Sequence, residues 1–368
     1  MSVATTSPSC VAALAGAALL LSVGTAWCTS PLGRIGAFKS IVPLKCDAGP
    51  QAQFRGDCDP PQVNDDLSLQ DRVQAHLLRA EKLVRLFRSQ QARADADAAL
   101  RLDPTNMAAL KFRARLLISL MDNRGAARDL ETGLQLSPQD PDLLGTYAEL
   151  LFGEDKLRDA LRDASAALAV RADDVETLIL RARILMRQKS FEAAEQDLDR
   201  ALATEPDAEA PRLLRAQLLL QTQKPEAAID DADKVLARRA GDPSALEVRA
   251  YAHIALGDSG AAIEDISKLI GKPGQPTTAS PAMTPFSKFF VQRAILLARV
   301  GNKADARKDL EAVLASGGTR AVLRLQVMMR RLGFPDIPID GKRNDAFDEA
   351  LMACVINEAC GRGIANPI

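Results

Sequence analysis

Val175–Ala208, VETLILRARILMRQKSFEAAEQDLDRALATEPDA, decides the architecture, because its landmarks recur at a fixed interval. Its Arg181-Ala182 pair returns as Arg79-Ala80, Arg113-Ala114, Arg215-Ala216, Arg249-Ala250 and Arg293-Ala294, with Tyr147-Ala148 in the remaining place. From Ala80 to Ala250 the alanines stand 34 residues apart. A period of that length is the mark of a helical-hairpin array, in which each unit packs only on its neighbours.

If Arg79 is position 7, units begin at Val73, Met107, Pro141, Val175, Glu209, Pro243 and Ser287. Position 20 is then Ala92, Ala126, Ala160, Ala194, Ala228, Ala262 and Ala306. Small residues at positions 8 and 20 let two helix axes approach closely. Positions 20, 24 and 27 share one helical face, and Pro104, Pro138 and Pro206 at position 32 stop the second helix. Position 23 is Asp95, Asp129, Asp163, Asp197, Asp231, Asp265 and Asp309. Paired with the arginine column, it predicts an ion-pair ladder between the helices of a unit or between units. A ligand-reading charged stripe is the competing interpretation.

These columns resemble the tetratricopeptide repeat, with its small residue at 8, Ala at 20 and 27, and Pro at 32. The aliphatic Leu117, Leu151, Leu185 and Leu219 replace the Tyr common at position 11 of that family. The resemblance implies an all-α, right-handed superhelical solenoid of about seven helix-turn-helix units: six over 73–276 and a seventh over 287–320. The Pro/Thr-rich stretch 277–286 between them reads as an exposed, mobile insert.

Residues 321–368 leave the repeat and are expected to form a small helical cap, with one helix ending at Gly333 and another near 346–355. Leu325-Gln326, Leu332-Gly333-Phe334, Asp340-Gly341 and Ala350 resemble the first half of a peptidoglycan-binding-like domain. This resemblance implies a cell-wall contact, although the Thr after the Asp-Gly turn and the closing Phe-Gln of that family are missing.

Ahead of the array, Val11–Val23 is an apolar run followed by Gly24-Thr25-Ala26. Its length and small-residue flank point to a signal peptide over 1–26; a membrane anchor is the alternative. Residues 27–72 carry several prolines and glycines and read as a loop-rich arm. Beyond Cys10 in the leader and Cys28 just after it, the cysteines are Cys46, Cys58, Cys354 and Cys360, two local pairs flanking the array. The expected disulfides are Cys46–Cys58 and Cys354–Cys360, in a periplasmic or secreted protein.

A net charge of -1, from 47 basic and 48 acidic residues, argues against a general nucleic-acid binder and shows no polybasic membrane-surface helix. No catalytic constellation, phosphate-binding glycine loop or metal-ligand spacing is present, so neither enzymatic activity nor a cofactor is expected. His253, at position 11, is read as a packing residue. Partner contacts are expected on the first helix of each unit, at Arg115, Glu149, Arg183, Gln217 and Tyr251 of position 9, with Lys111 and Arg187 nearby. Such a mixed, Arg-containing groove suits a peptide or protein partner. The chain therefore reads as a non-enzymatic cell-envelope scaffold, with a peptidoglycan-associated module as the alternative.

Overall fold

The computed structural model describes residues 67–273, 275–276 and 287–357. The leader, most of the N-terminal arm, Cys46, Cys58, Cys360 and the insert at 277–286 lie outside the described residues. The described chain is an all-α solenoid of consecutive helical hairpins. Its first helices are α1 (Leu69–Arg85), α3 (Met107–Ser119), α5 (Pro141–Gly153), α7 (Val175–Arg187), α9 (Glu209–Gln221), α11 (Pro243–Leu256) and α13 (Ser287–Arg299). Each is followed by a second helix: α2 (Ser89–Leu102), α4 (Asn123–Leu136), α6 (Leu157–Val170), α8 (Phe191–Thr204), α10 (Pro225–Arg238), α12 (Ser259–Ile270) and α14 (Lys303–Arg331). Helix α15 (Asp345–Ile356) packs on α13 and α14.

The alanine columns are the close-contact points. Every position-20 alanine from Ala92 to Ala306 is fully buried, as are the position-8 residues Ala80, Ala114, Ala148, Ala182, Ala216 and Ala294. A larger side chain at either point would push the hairpin apart.

The position-23 aspartates are buried too, and the position-7 arginines reach them within the same unit. Arg181 donates from Nε to Asp197 Oδ2 at 2.7 Å and from Nη2 to Oδ1 at 2.6 Å. Arg113–Asp129, Arg215–Asp231, Arg249–Asp265 and Arg293–Asp309 repeat this fork, and Arg79 does so on Asp95. The carboxylates hold the Arg113, Arg181, Arg215 and Arg249 guanidinium groups above their usual pKa, outweighing burial. A second acceptor, at position 25 of the preceding unit, takes the remaining nitrogen. Arg113 Nη1 donates to Asp97 at 2.7 Å, Arg215 Nη1 to Asp199 at 2.6 Å, and Arg249 Nη1 to Asp233. One side chain thus ties its own hairpin and the joint to the previous unit.

Unit three breaks the pattern. The Tyr147 hydroxyl meets Glu131, at position 25, at 3.1 Å. Asp163 is reached instead by the exposed Arg162, at 2.8 Å.

Each first helix ends in a left-handed residue at position 15: Phe87, Met121, Asp155, Lys189 and Gln223, then Gly257 and Gly301. The following N–H returns to the carbonyl at position 11, as from Ser190 to Leu185 at 2.9 Å, in a Schellman-type closure. Asn106, Asp140, Asp174 and Asp242 at position 34 cap the next helix, whereas Ala208 leaves α9 without a side-chain cap.

The residues leading into the insert differ from a fully exposed loop. A two-residue strand β1 (Gly271–Lys272) pairs antiparallel with β2 (Gln275–Pro276). Gly271 is buried, and its carbonyl accepts from Arg293 Nη1, which also reaches Ser267 at 2.9 Å. Arg293 and Asp309 are both completely buried.

Helix α14 bends at Gly318, whose φ of 53° and ψ of -147° interrupt the helical path. Beyond it, Val322, Leu325 and Met329 join Phe347, Leu351, Cys354 and Val355 in the apolar cluster of the last two units. Gln326, fully buried, accepts from Gly341 N at 2.9 Å and donates to Asp340 Oδ1 at 3.0 Å. Gly341 has positive φ, and a Cβ there would meet Thr319 Cγ2 at 2.7 Å.

Two substitutions test this frame. Tyr147→Arg supplies the missing fork between Asp163 and Glu131, and is expected to raise the stability of units two and three by roughly 1–2 kcal/mol, read as slower amide exchange in α5 and α6. Unchanged or faster exchange would remove the ladder as a stabilising device. Gln223→Gly relieves a left-handed side chain and is expected to gain about 1 kcal/mol, read as a higher denaturation midpoint.

Candidate partner-binding surface

The first helices lean directly on one another, α3 on α5, α5 on α7, α7 on α9 and α9 on α11. They therefore form the inner wall of the array. With positions 8 and 11 turned to the core, positions 9 and 12 fall on the open side, three residues apart and so neighbours on one helical face.

At position 9, Arg115, Glu149, Arg183 and Gln217 are exposed and Tyr251 is half-buried. The five come from five consecutive units and make one row. Arg115 Nε lies 3.5 Å from Thr146 Oγ1, a long contact that leaves most of the guanidinium to solvent. The Arg183 guanidinium carbon lies 4.9 Å from the Phe152 ring centroid, a cation–π arrangement across adjacent units.

Tyr251 ends the row in a denser cluster. Its ring centroid lies 6.5 Å from that of Phe289, and Lys288 Nζ lies 5.8 Å from the Tyr251 centroid and 4.7 Å from that of Phe289. Lys288 also pairs with Glu247 at 2.6 Å. Burial raises the Tyr251 hydroxyl pKa. Burial alone would lower that of Lys288, but Glu247 and Tyr251 more than offset it.

Lys111 and Arg187 are differently placed. Lys111 is half-buried, with Nζ 2.7 Å from Asp140 and 2.9 Å from Asp142. It joins α3 to the start of α5. Asp142 also pairs with Arg171, and the two cations lower its carboxyl pKa against the effect of burial. Arg187 donates to Asp155 at 2.7 Å, across the turn edge of the preceding unit. Both charges are thus engaged within the array.

The charged residues have an apolar companion that the sequence reading did not single out. Position 12 is Ile118, Phe152, Met186, Leu220 and Ile254 in units two to six, each half-buried. Their inner sides pack on the unit cores and the remainder stays open. The signal was present as an apolar column, including Val84 and Ala298 in the first and last units. A helix-spaced apolar residue reads as core until the facing helix is placed.

Position 9 thus supplies alternating charge and hydrogen-bonding capacity, and position 12 a continuous apolar strip. Together they can receive a peptide with apolar side chains along one side. Among the described residues no cluster of three or more His, Cys, Asp or Glu has a metal-binding arrangement. No described helix is long and apolar enough to cross a membrane. In the C-terminal segment, the polar atoms of Gln326 and the Asp340 Oδ1 are engaged in the turn itself.

Residues 147–211 and 213–276 match the family model of the tetratricopeptide repeat. No curated protein matches the sequence. Among solved structures, the chain is similar to PilW, a widely conserved type IV pilus biogenesis factor, with 22% identity over 54% of this chain and 91% of that one, at a TM-score of 0.51. It is also similar to a tetratricopeptide repeat protein from Parabacteroides merdae, at 18% identity, 77% and 99% coverage and a TM-score of 0.49. A third similar structure is Pseudomonas aeruginosa pilF, at 16% identity, 55% and 91% coverage and a TM-score of 0.49. The family match and the succession of hairpins agree: the fold is a solenoid of tetratricopeptide units.

Proposed function

We propose that this protein is an exported, non-enzymatic scaffold that holds a protein or peptide partner along the inner wall of its solenoid. The observation that carries the reading is the contrast between neighbouring columns. Positions 7, 8, 20 and 23 keep nearly the same residue in every unit, while position 9 changes from Arg115 to Glu149, Arg183, Gln217 and Tyr251. A residue kept in all units serves the unit; one that varies while remaining exposed beside an apolar strip is free to serve recognition. Arg115, Glu149, Arg183, Gln217 and Tyr251 are the proposed contacts, with Ile118, Phe152, Met186 and Leu220 as the apolar floor. Lys111 and Arg187 border the site and shape it.

Export is supported by the leader-like run Val11–Val23 and by the cysteine distribution. Cys354 is buried on α15 and disulfide-bonded; Cys360 is its proposed partner. For the C-terminal segment, the turn geometry around Gln326 and Asp340 explains the resemblance structurally, and a role in covering the last unit requires no wall contact.

A photo-crosslinking residue placed at Glu149 or Gln217 is expected to trap one discrete partner, recovered with the cell-envelope fraction. The same residue at Arg128 or Arg158, on the outer face, is expected to trap none. Arg115→Glu combined with Arg183→Glu should weaken partner capture by roughly tenfold or more, the equivalent of about 1.4 kcal/mol. Equal trapping from both faces would contradict the inner-wall reading, and recovery only from cytosol would contradict export.

A further inference from the structure

The left-handed turn at position 15 is filled in two ways. Units three to seven use Asp155, Lys189, Gln223, Gly257 and Gly301, all polar or glycine. The first two units use Phe87 and Met121, at φ of 57° and 62°. A bulky side chain with positive φ is disfavoured, and such residues concentrate where function retains them. Packing does not repay the cost here. Phe87 is 94% exposed and Met121 83%, while the next most exposed large apolar residue among the described residues, Leu69, reaches only 56%.

Both turns are tightly closed. Phe87 N donates to Val84 O at 3.0 Å and Arg88 N to Leu83 O at 2.8 Å; Met121 N donates to Ile118 O at 3.0 Å and Asp122 N to Leu117 O at 2.8 Å. The two side chains are therefore held outward at equivalent points of adjacent units. Arg85 and Arg88 flank Phe87 in the chain and Arg124 lies three residues after Met121, all exposed. Arg85 acts electrostatically on Glu81, but none of the three forms an ion pair among the described residues. The one carboxylate at these two turns, Asp122, caps Gly125 N and faces Arg93 at 3.3 Å. In unit three the character ends: Glu154 pairs with Lys156 at 2.8 Å and Asp155 with Arg187 at 2.7 Å.

We propose that this edge of units one and two docks on an anionic lipid bilayer, with Phe87 and Met121 entering the headgroup–acyl boundary and Arg85, Arg88 and Arg124 meeting lipid phosphates. Charge and shape select this occupant. A second copy of the same edge would set arginine against arginine. A protein partner would need a separate pocket for each protruding side chain, whereas a fluid interface receives them without a preformed cavity. The sequence gives no polybasic helix because these residues are divided between two short turns 34 residues apart. This inference goes beyond the scaffold reading and stands or falls separately from it.

The test is co-sedimentation of the full chain with vesicles of phosphatidylcholine alone and of phosphatidylcholine with phosphatidylglycerol. Wild type is expected to bind the anionic vesicles and to be released by salt. Phe87→Ser with Met121→Ser should bind roughly tenfold more weakly, and Arg88→Ser with Arg124→Ser roughly thirtyfold more weakly, at about fivefold per arginine. All four side chains are exposed, so unfolding midpoints should not fall. Any apolar leader is common to every variant. Equal binding by wild type and both variants would therefore place membrane affinity elsewhere and overturn the proposal. So would wild type that ignores anionic vesicles, or variants that lose self-association or a protein partner while keeping vesicle binding.

Discussion

The arginine–aspartate fork is the constraint on which the rest of the solenoid depends. An aspartate buried between two helices costs several kcal/mol of desolvation if left alone. A guanidinium offering two parallel N–H donors is the side chain best shaped to offset that cost. The same guanidinium has a third nitrogen, which reaches back to position 25 of the previous unit, so hairpin closure and unit stacking share one group. The pairing also excludes slippage: a helix displaced by one residue would bury the carboxylate opposite an alkyl chain. Its most buried form is Arg293 with Asp309, where neither side chain is accessible. That pair, with Ser267 and the Gly271 carbonyl, carries the frame across the insertion between units six and seven.

A frame held by internal charge leaves the surface to other tasks. Six arginines that would otherwise colour the exterior are neutralised by buried partners, and what the solvent meets is set by positions 9, 12 and 15. Position 9 varies because Arg115, Glu149, Arg183 and Gln217 are exposed, while Tyr251 packs partly on the core. Position 12 remains apolar because its inner half packs while its outer half does not. Position 15 must adopt a left-handed conformation whatever residue occupies it, so its side chain always projects.

The sequence made the frame legible wherever a position keeps its residue type. The alanines at positions 8 and 20 and the aspartates at position 23 announced the fold and the ladder. Positions that keep only a role were not legible. Position 25 accepts from the ladder as Asp97, Glu131, Asp199 or Ser267, and no single residue marks it. The left-handed turn hides behind Phe87, Met121, Asp155, Lys189 and Gln223, since no glycine stands there until Gly257. The ion-pair partners of Lys111 and Arg187 were not legible either, because those carboxylates lie in the adjacent unit, about thirty positions away. The motif around Gln326 resembles part of a wall-binding module, and in this chain its buried amide and the positive φ of Gly341 hold a turn.

The most direct measurement is a double-mutant cycle on Arg181 and Asp197, replacing each with alanine singly and together and reading local stability by native-state hydrogen exchange in α7 and α8. The account predicts that Arg181→Ala costs about 3 kcal/mol because it strands a buried carboxylate, and that the double variant recovers part of this, with a coupling of about 2 kcal/mol. Effects that add to within about 0.5 kcal/mol would show that the two residues act separately, and would contradict the ladder as the frame of the fold.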